Sequence, residues 1–197
     1  MAEKQQVSSG QEHMIEVMAT ELIDGVVYDM SAGTPSHASI IGNIYYLLRR
    51  YFEGKPCTPF TSELDIHLDE KNRFRPDISV VCDKAKFVAQ GYAGVPTLVV
   101  EVLSPSTAKI DKGRKFLAYQ RFGVKEYWIV NTDSESIEQY VLRDGKLMLE
   151  AIHIYLDYSE EVESKNSEMI NFSTSFNSSV FEGLAINLTE VFSYEFI

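Results

Sequence analysis

The chain has 197 residues, of which 45% are hydrophobic and 24% charged; this is the make-up of an ordinary globular protein, large enough to bury a core without a disulfide or metal staple. A net charge of -11 and a pI of about 4.8 exclude a surface that is basic throughout, so any grip on nucleic acid must come from a local patch such as Lys109, Lys112, Arg114 and Lys115. No apolar run approaches the ~20 residues of a membrane span, the polar start reads against a signal peptide, and Cys57 and Cys82, without CxxC or Cys/His spacing, read as free thiols of a reducing, cytoplasmic compartment.

Residues 1–18 are polar and aperiodic, and are expected to form a flexible segment ahead of a single domain over 19–197. Within 21–30, Asp24-Gly25 between apolar runs predicts a β-hairpin. Ile40, Ile41, Ile44, Leu47, Leu48 and Phe52 recur at helical spacing after Pro35; Ser36 is a candidate cap, and Gly54 ends the segment. Strands are predicted in TSELDIHLD, where apolar and polar residues alternate from Leu64 to Leu68, and in DISVVCD after Pro76. TLVVEVLS is almost continuously apolar, the pattern of a strand covered on both faces. SPST, with Ser104, Ser106 and Thr107 as candidate caps, opens a helix over 108–122 that Gly123 closes. EYWIVN is the next strand, with Tyr127 and Trp128 as core residues. SIEQYVL and LMLEAIHIYL form a second hairpin about Asp144-Gly145, and FEGLAINLTEVF reads as a docked turn and a short helix. The order implies an α/β or α+β protein with a mixed central sheet.

Glu101 is the most informative residue. A carboxylate inside an apolar strand is costly unless it is paired, protonated or bound to a cation. Asp77 opens the strand DISVV, and two adjacent strands would bring both carboxylates to one sheet edge, where paired oxygens suit Mg²⁺. Lys115 shares a helix face with Asp111 and Ala118. It reads either as half of a solvated Asp111–Lys115 pair or as an ammonium turned toward the two acids. Glu21 and His37 are further candidates, the first for a metal site and the second for phosphate, against plain solvated or capping roles. The lack of GxSxG speaks against a serine nucleophile.

The runs RPDISVV, LVVEVLSPST, DKGRK and FGVKEYWIV together resemble the PD-(D/E)xK nuclease superfamily and, more narrowly, its restriction-endonuclease-like Uma-two family. The resemblance extends from ELIDG and PSH to the terminal FEGLAINLTEVF. It implies a restriction-endonuclease-like mixed sheet flanked by helices, with an N-terminal hairpin and a C-terminal antiparallel extension. It also implies Mg²⁺ or Mn²⁺ held by Asp77, Glu101 and the main-chain carbonyl of Val102, with Asp77, Glu101 and Lys115 catalytic. One departure matters: the superfamily lysine usually stands two residues after the glutamate, where this chain has Leu103. Lys115 occupies the matching position on the following helix, and Lys112 competes for it. Asn131 stands where this branch often carries Asp.

The resulting expectation is Mg-dependent hydrolysis of phosphodiester bonds in DNA rather than RNA, with a homodimer if both strands are cut. The rival readings are a nuclease-fold binding module that cuts nothing, suggested by the acidic charge, and a metal-dependent hydrolase of smaller phosphate esters.

Overall fold

The computed structural model describes residues 19–30, 33–104, 107–156, 170–172 and 174–193. The expected flexible segment 1–18 and the candidate cap Ser106 lie outside them. Among the described residues no helix is long and apolar enough to cross a membrane.

Strands β1 (Thr20–Ile23) and β2 (Val26–Asp29) form the first hairpin. Asp24 and Gly25 turn it with φ of 50° and 79°, the left-handed pair that a two-residue turn requires. Helix α1 (Pro35–Phe52) buries Ile40, Ile44, Leu47, Leu48 and Phe52. Its cap is Thr34, whose hydroxyl accepts from the His37 amide. The expected cap Ser36 lies one residue inside the helix, because Pro35 has no amide hydrogen and a fixed φ that suits the first turn.

Strands β3 (Thr58–Thr61), β4 (Ile66–Asp69), β5 (Asn72–Phe74) and β6 (Ile78–Val81) follow. The alternation at 64–68 therefore begins in a turn and enters its strand only at Ile66. Two-residue strands β7 (Phe87–Val88) and β8 (Gly91–Tyr92) make a small hairpin before β9 (Leu98–Val102). The helix expected over 108–122 is three segments in line: α2 (Ala108–Ile110), a π-helical turn at Asp111–Lys115, and α3 (Phe116–Phe122). Gly123 closes it at φ 87°. Strands β10 (Glu126–Asn131), β11 (Ser136–Arg143), β12 (Lys146–Ile154) and β13 (Ile170–Phe172) complete the larger sheet. The end of the described chain adds β14 (Ser175–Asn177), β15 (Ala185–Asn187) and α4 (Leu188–Phe192).

The seven-stranded sheet runs β13-β12-β11-β10-β9-β6-β3, and a six-stranded one runs β2-β1-β5-β4-β8-β7. In the larger sheet β9 is parallel to β10 and antiparallel to β6, so the fold is a mixed α+β sheet architecture flanked by few helices. Side chains alternate across a strand. Leu98, Val100 and Val102 of β9, with Trp128 and Val130 of β10, face the core covered by α1 and α4. Val99, Tyr127 and Ile129 face a second core covered by α3, β1 and β5. Glu101 has the parity of Val99, and so points to the second side.

The cysteine expectation is overturned. Cys57 and Cys82 are joined in a disulfide. Thr58 pairs with Val81 across β3 and β6, so Cys57 and Cys82 stand one step further along, opposite each other. Sequence spacing cannot reveal this, because Pro59 hides β3. The compartment inference thus loses its support from free thiols.

Candidate active site

Four elements meet below the C-terminal end of β9. The register Ile78↔Val100, carried one residue further, sets Asp77 across from Glu101. Asp77 uses Oδ2 to accept the Val102 amide at 2.7 Å, which fixes its carboxylate against the strand end. β1 supplies Glu21, whose Oε1 accepts the Arg75 amide at 2.8 Å. The π turn supplies Asp111 and Lys115.

Lys115 is the hub. Its Nζ lies 2.9 Å from Glu21 Oε2, 3.1 Å from Glu101 Oε1 and 3.3 Å from Asp111 Oδ1. All four side chains are at most 6% exposed. The solvated-pair reading of Asp111–Lys115 is therefore overturned. A π turn carries one more residue than an α turn, and such turns recur at functional sites. Here it turns both ends of DKGRK inward, and the backbone carbonyl of Asp111 accepts from the Phe116 amide and the Tyr127 hydroxyl. Lys112, the competing lysine, points outward and pairs with Glu138. Leu103, at the superfamily's usual lysine position, is a partly buried residue packed on the second core.

Electrostatics follow from burial. Desolvation pushes the Glu101 carboxyl well above its usual range; Lys115 opposes the shift, and Asp111, Asp77 and Glu21 add to it. Asp111 is raised by the same burial, again against Lys115. Burial works against the Lys115 charge, but Glu101, Glu21 and Asp111 outweigh it and hold the ammonium well above its ordinary value. The surrounding acids thus favour the charged form of Lys115. Tyr119 donates to Glu101 Oε1 at 2.9 Å and, buried beside that carboxylate, stays protonated far above the usual phenol range.

His37 closes the opposite rim. Its Nε2 is 2.9 Å from the Val102 carbonyl and 3.5 Å from Asp77 Oδ2. Its hydrogen bond to Asp77 is the main reason its pKa is raised. A Cβ on Gly33 would come within 2.4 Å of His37 Nδ1, so the glycine leaves room for the ring. One cavity is lined by Glu21, His37, Asp77, Glu101, Asp111 and Lys115. The structure therefore brings together Asp77, Glu101, Lys115, Glu21, His37 and the Val102 carbonyl.

Asp111 joins them as the residue that sequence reasoning passed over. Its Oδ1 is buried 3.3 Å from the Lys115 ammonium, and Thr107 also hydrogen-bonds its side chain. Among the described residues no three His, Cys, Asp or Glu side chains are arranged as a metal cluster by themselves. The donor chemistry nevertheless fits a hard divalent cation. Three carboxylates face one ammonium, and the Asp77 carboxylate and a main-chain carbonyl stand at the same edge; Mg²⁺ is commonly held by one or two carboxylates plus waters.

A sequence profile described as "Uma2: Putative restriction endonuclease" matches residues 14–173. The chain belongs to the Uma2 family. The uncharacterized Synechocystis protein slr1290 is 34% identical over 63% of this chain and 66% of its own length. A second uncharacterized Synechocystis protein, sll1609, is 27% identical over 61% of this chain and 71% of its own. The chain thus spans just under two thirds of the first of these. A crystal structure from Anabaena variabilis, titled a "putative nuclease belonging to DUF820", superposes with a TM-score of 0.63 over 88% of this chain and 89% of that one. At 16% identity this likeness shows the fold alone.

Proposed function

We propose that the protein is a metal-dependent endonuclease that hydrolyses phosphodiester bonds of DNA, with Asp77, Glu101 and Lys115 at the centre of its site. The observation that carries this reading is the buried Lys115 ammonium set among Glu101, Glu21 and Asp111, with Asp77 and the Val102 carbonyl at the next edge. Asp77, Glu101 and the Val102 carbonyl would hold Mg²⁺ or Mn²⁺, which supplies phosphate polarisation and an activated water when bound. Lys115, fixed and charged beside that site, would offset the charge that builds up in the transition state. Glu21 and Asp111 hold the ammonium in place. His37, at the rim, is placed to meet a phosphate oxygen.

The test is cleavage of plasmid DNA and of RNA by the purified chain with Mg²⁺, Mn²⁺ or EDTA. The expected result is DNA cleavage that requires the metal and falls at least about a hundredfold in Asp77→Asn and Glu101→Gln, with melting curves showing the variants folded. No cleavage by the native chain under any metal would remove the reading.

A non-cutting binding module is the second reading. It is favoured by the net charge of -11 and by the engagement of His37 with the Val102 carbonyl and Asp77. DNA retention that is metal-independent and unchanged in Glu101→Gln would select it.

A further inference from the structure

Arg75 has two sides. Its backbone amide is bonded to Glu21 in the acidic cavity, while its side chain pairs with Asp65 and lines a second cavity of about 450 Å³. That volume lies within the range of small-molecule pockets. The walls of the second cavity include Phe60, Leu64, Phe87 and Val88. Phe87 is 40% exposed and Val88 51%, on a hairpin anchored through buried Tyr92. The hairpin is firmly held. The Tyr92 amide donates to the Asp65 carbonyl at 2.8 Å, and His67 Nε2 is 3.1 Å from the Gln90 carbonyl. Gly91, at φ 141°, has no room for a Cβ, which would lie 2.3 Å from the Asp65 oxygen. The Phe87 ring stands edge-on to Phe60 and Tyr92, with centroids 5.6 and 5.3 Å away. A rigid wall with an exposed aromatic is a stacking platform.

From this geometry we infer that the second cavity receives the nucleobase adjoining the phosphate bound at the acidic site, stacked on Phe87, with the Arg75 guanidinium at the junction facing the strand's backbone. Adjacency and shape support this occupant. Arg75 lines both cavities, the exposed Phe87 ring offers a face to a base, and, with Asp65 already paired with Arg75, Glu63 on the cavity wall can accept from the N–H edge of that base. The substrate class is then a strand whose bases can leave the stack: single-stranded, flapped or locally unpaired DNA. The inference rests on the nuclease reading above.

The test uses short single-stranded oligonucleotides carrying the fluorescent base 2-aminopurine at each position in turn, with Ca²⁺ in place of Mg²⁺ so that binding is read without turnover. At one position beside the cleavage point mapped with Mg²⁺, fluorescence should be quenched on binding by the native chain. Phe87→Ala should restore it and weaken binding about tenfold. Phe87→Trp should keep the quenching, which shows that the loss is of stacking rather than of fold. An abasic nucleotide there should cost the native chain the same factor and Phe87→Ala nothing more. If the native chain cuts DNA but Phe87→Ala binds equally well at every position, or if Phe87→Ala changes the oligomeric state instead, the base pocket is wrong and the nuclease reading stands. If the native chain binds and cuts nothing, both fall.

Discussion

Lys115 carries its charge where water barely reaches, 5% exposed and within 3.3 Å of three carboxylates. Removing one partner of such a buried network leaves uncompensated charge behind. Lys115→Ala is therefore expected to cost about 3–5 kcal/mol of stability, read as a lower urea midpoint, whether or not the protein cuts DNA. The variant cannot by itself tell an enzyme from a binding module, and Glu101→Gln is the better instrument. His153 makes a separate prediction. Burial lowers its pKa to about 4, below the ordinary value near 6.5, so between those values the unfolded chain binds the extra proton. Stability should fall as pH drops from about 6.5 to about 4, by roughly 3 kcal/mol, and then level off. His153→Phe should flatten that slope, and an unchanged slope would show that other groups set it. Glu101 was legible in the sequence as a lone acid in an apolar strand. Glu126 in EYWIVN carries the same signature, yet its carboxylate accepts from Trp128, Gln139 and Ser178 and, among the described residues, has no ion pair with Lys, Arg or His. The pattern announces a buried acid but not its partner, which only tertiary placement decides.

Among the elements, the π turn has the largest effect on the site. Its extra residue shifts the phase between the Asp111–Lys115 pair, which spacing of four already puts on one face, and α3, which keeps Ala118 and Tyr119 in the second core. Deletion of Gly113, which has open space about its Cβ position, should relax the turn toward α-helix and rotate Asp111 out of register with Lys115 and α3. Cleavage is then expected to vanish while the melting temperature falls by only a few degrees; retained cleavage would show that the turn does not set the site. The helix as a whole, its Gly123 stop and both Asp-Gly hairpins were readable from periodicity and turn chemistry. The π turn was not, because apolar spacing over five residues does not distinguish it from α. Short strands β3, β5, β7 and β8 also escaped, since two to four residues with Pro59 or Gly91 among them carry no usable alternation.

At the scale of the molecule, the disulfide ties an edge strand of the larger sheet to its neighbour across 25 residues of chain. Reduction, or Cys57→Ser with Cys82→Ser, should lower stability by about 3 kcal/mol, measured by denaturant titration with and without dithiothreitol; equal midpoints would show that the link contributes nothing. The sheet architecture was legible because buried strands announce themselves by apolar composition, whereas pairing between distant strands, and hence the cysteine link, was not. The Glu126 carboxylate has one more implication. The tail gives it the Ser178 hydroxyl and the amides of Ser179 and Val180, and Leu184, Ile186, Leu188, Val191 and Phe192 join the core beside it. The family match stops at residue 173, short of all of them. A chain shortened to that boundary would leave the Glu126 carboxylate with Trp128 and Gln139 alone as donors and open the apolar side of the sheet that Leu184 to Phe192 cover, so residues 174–193 act as a plug for this end of the core.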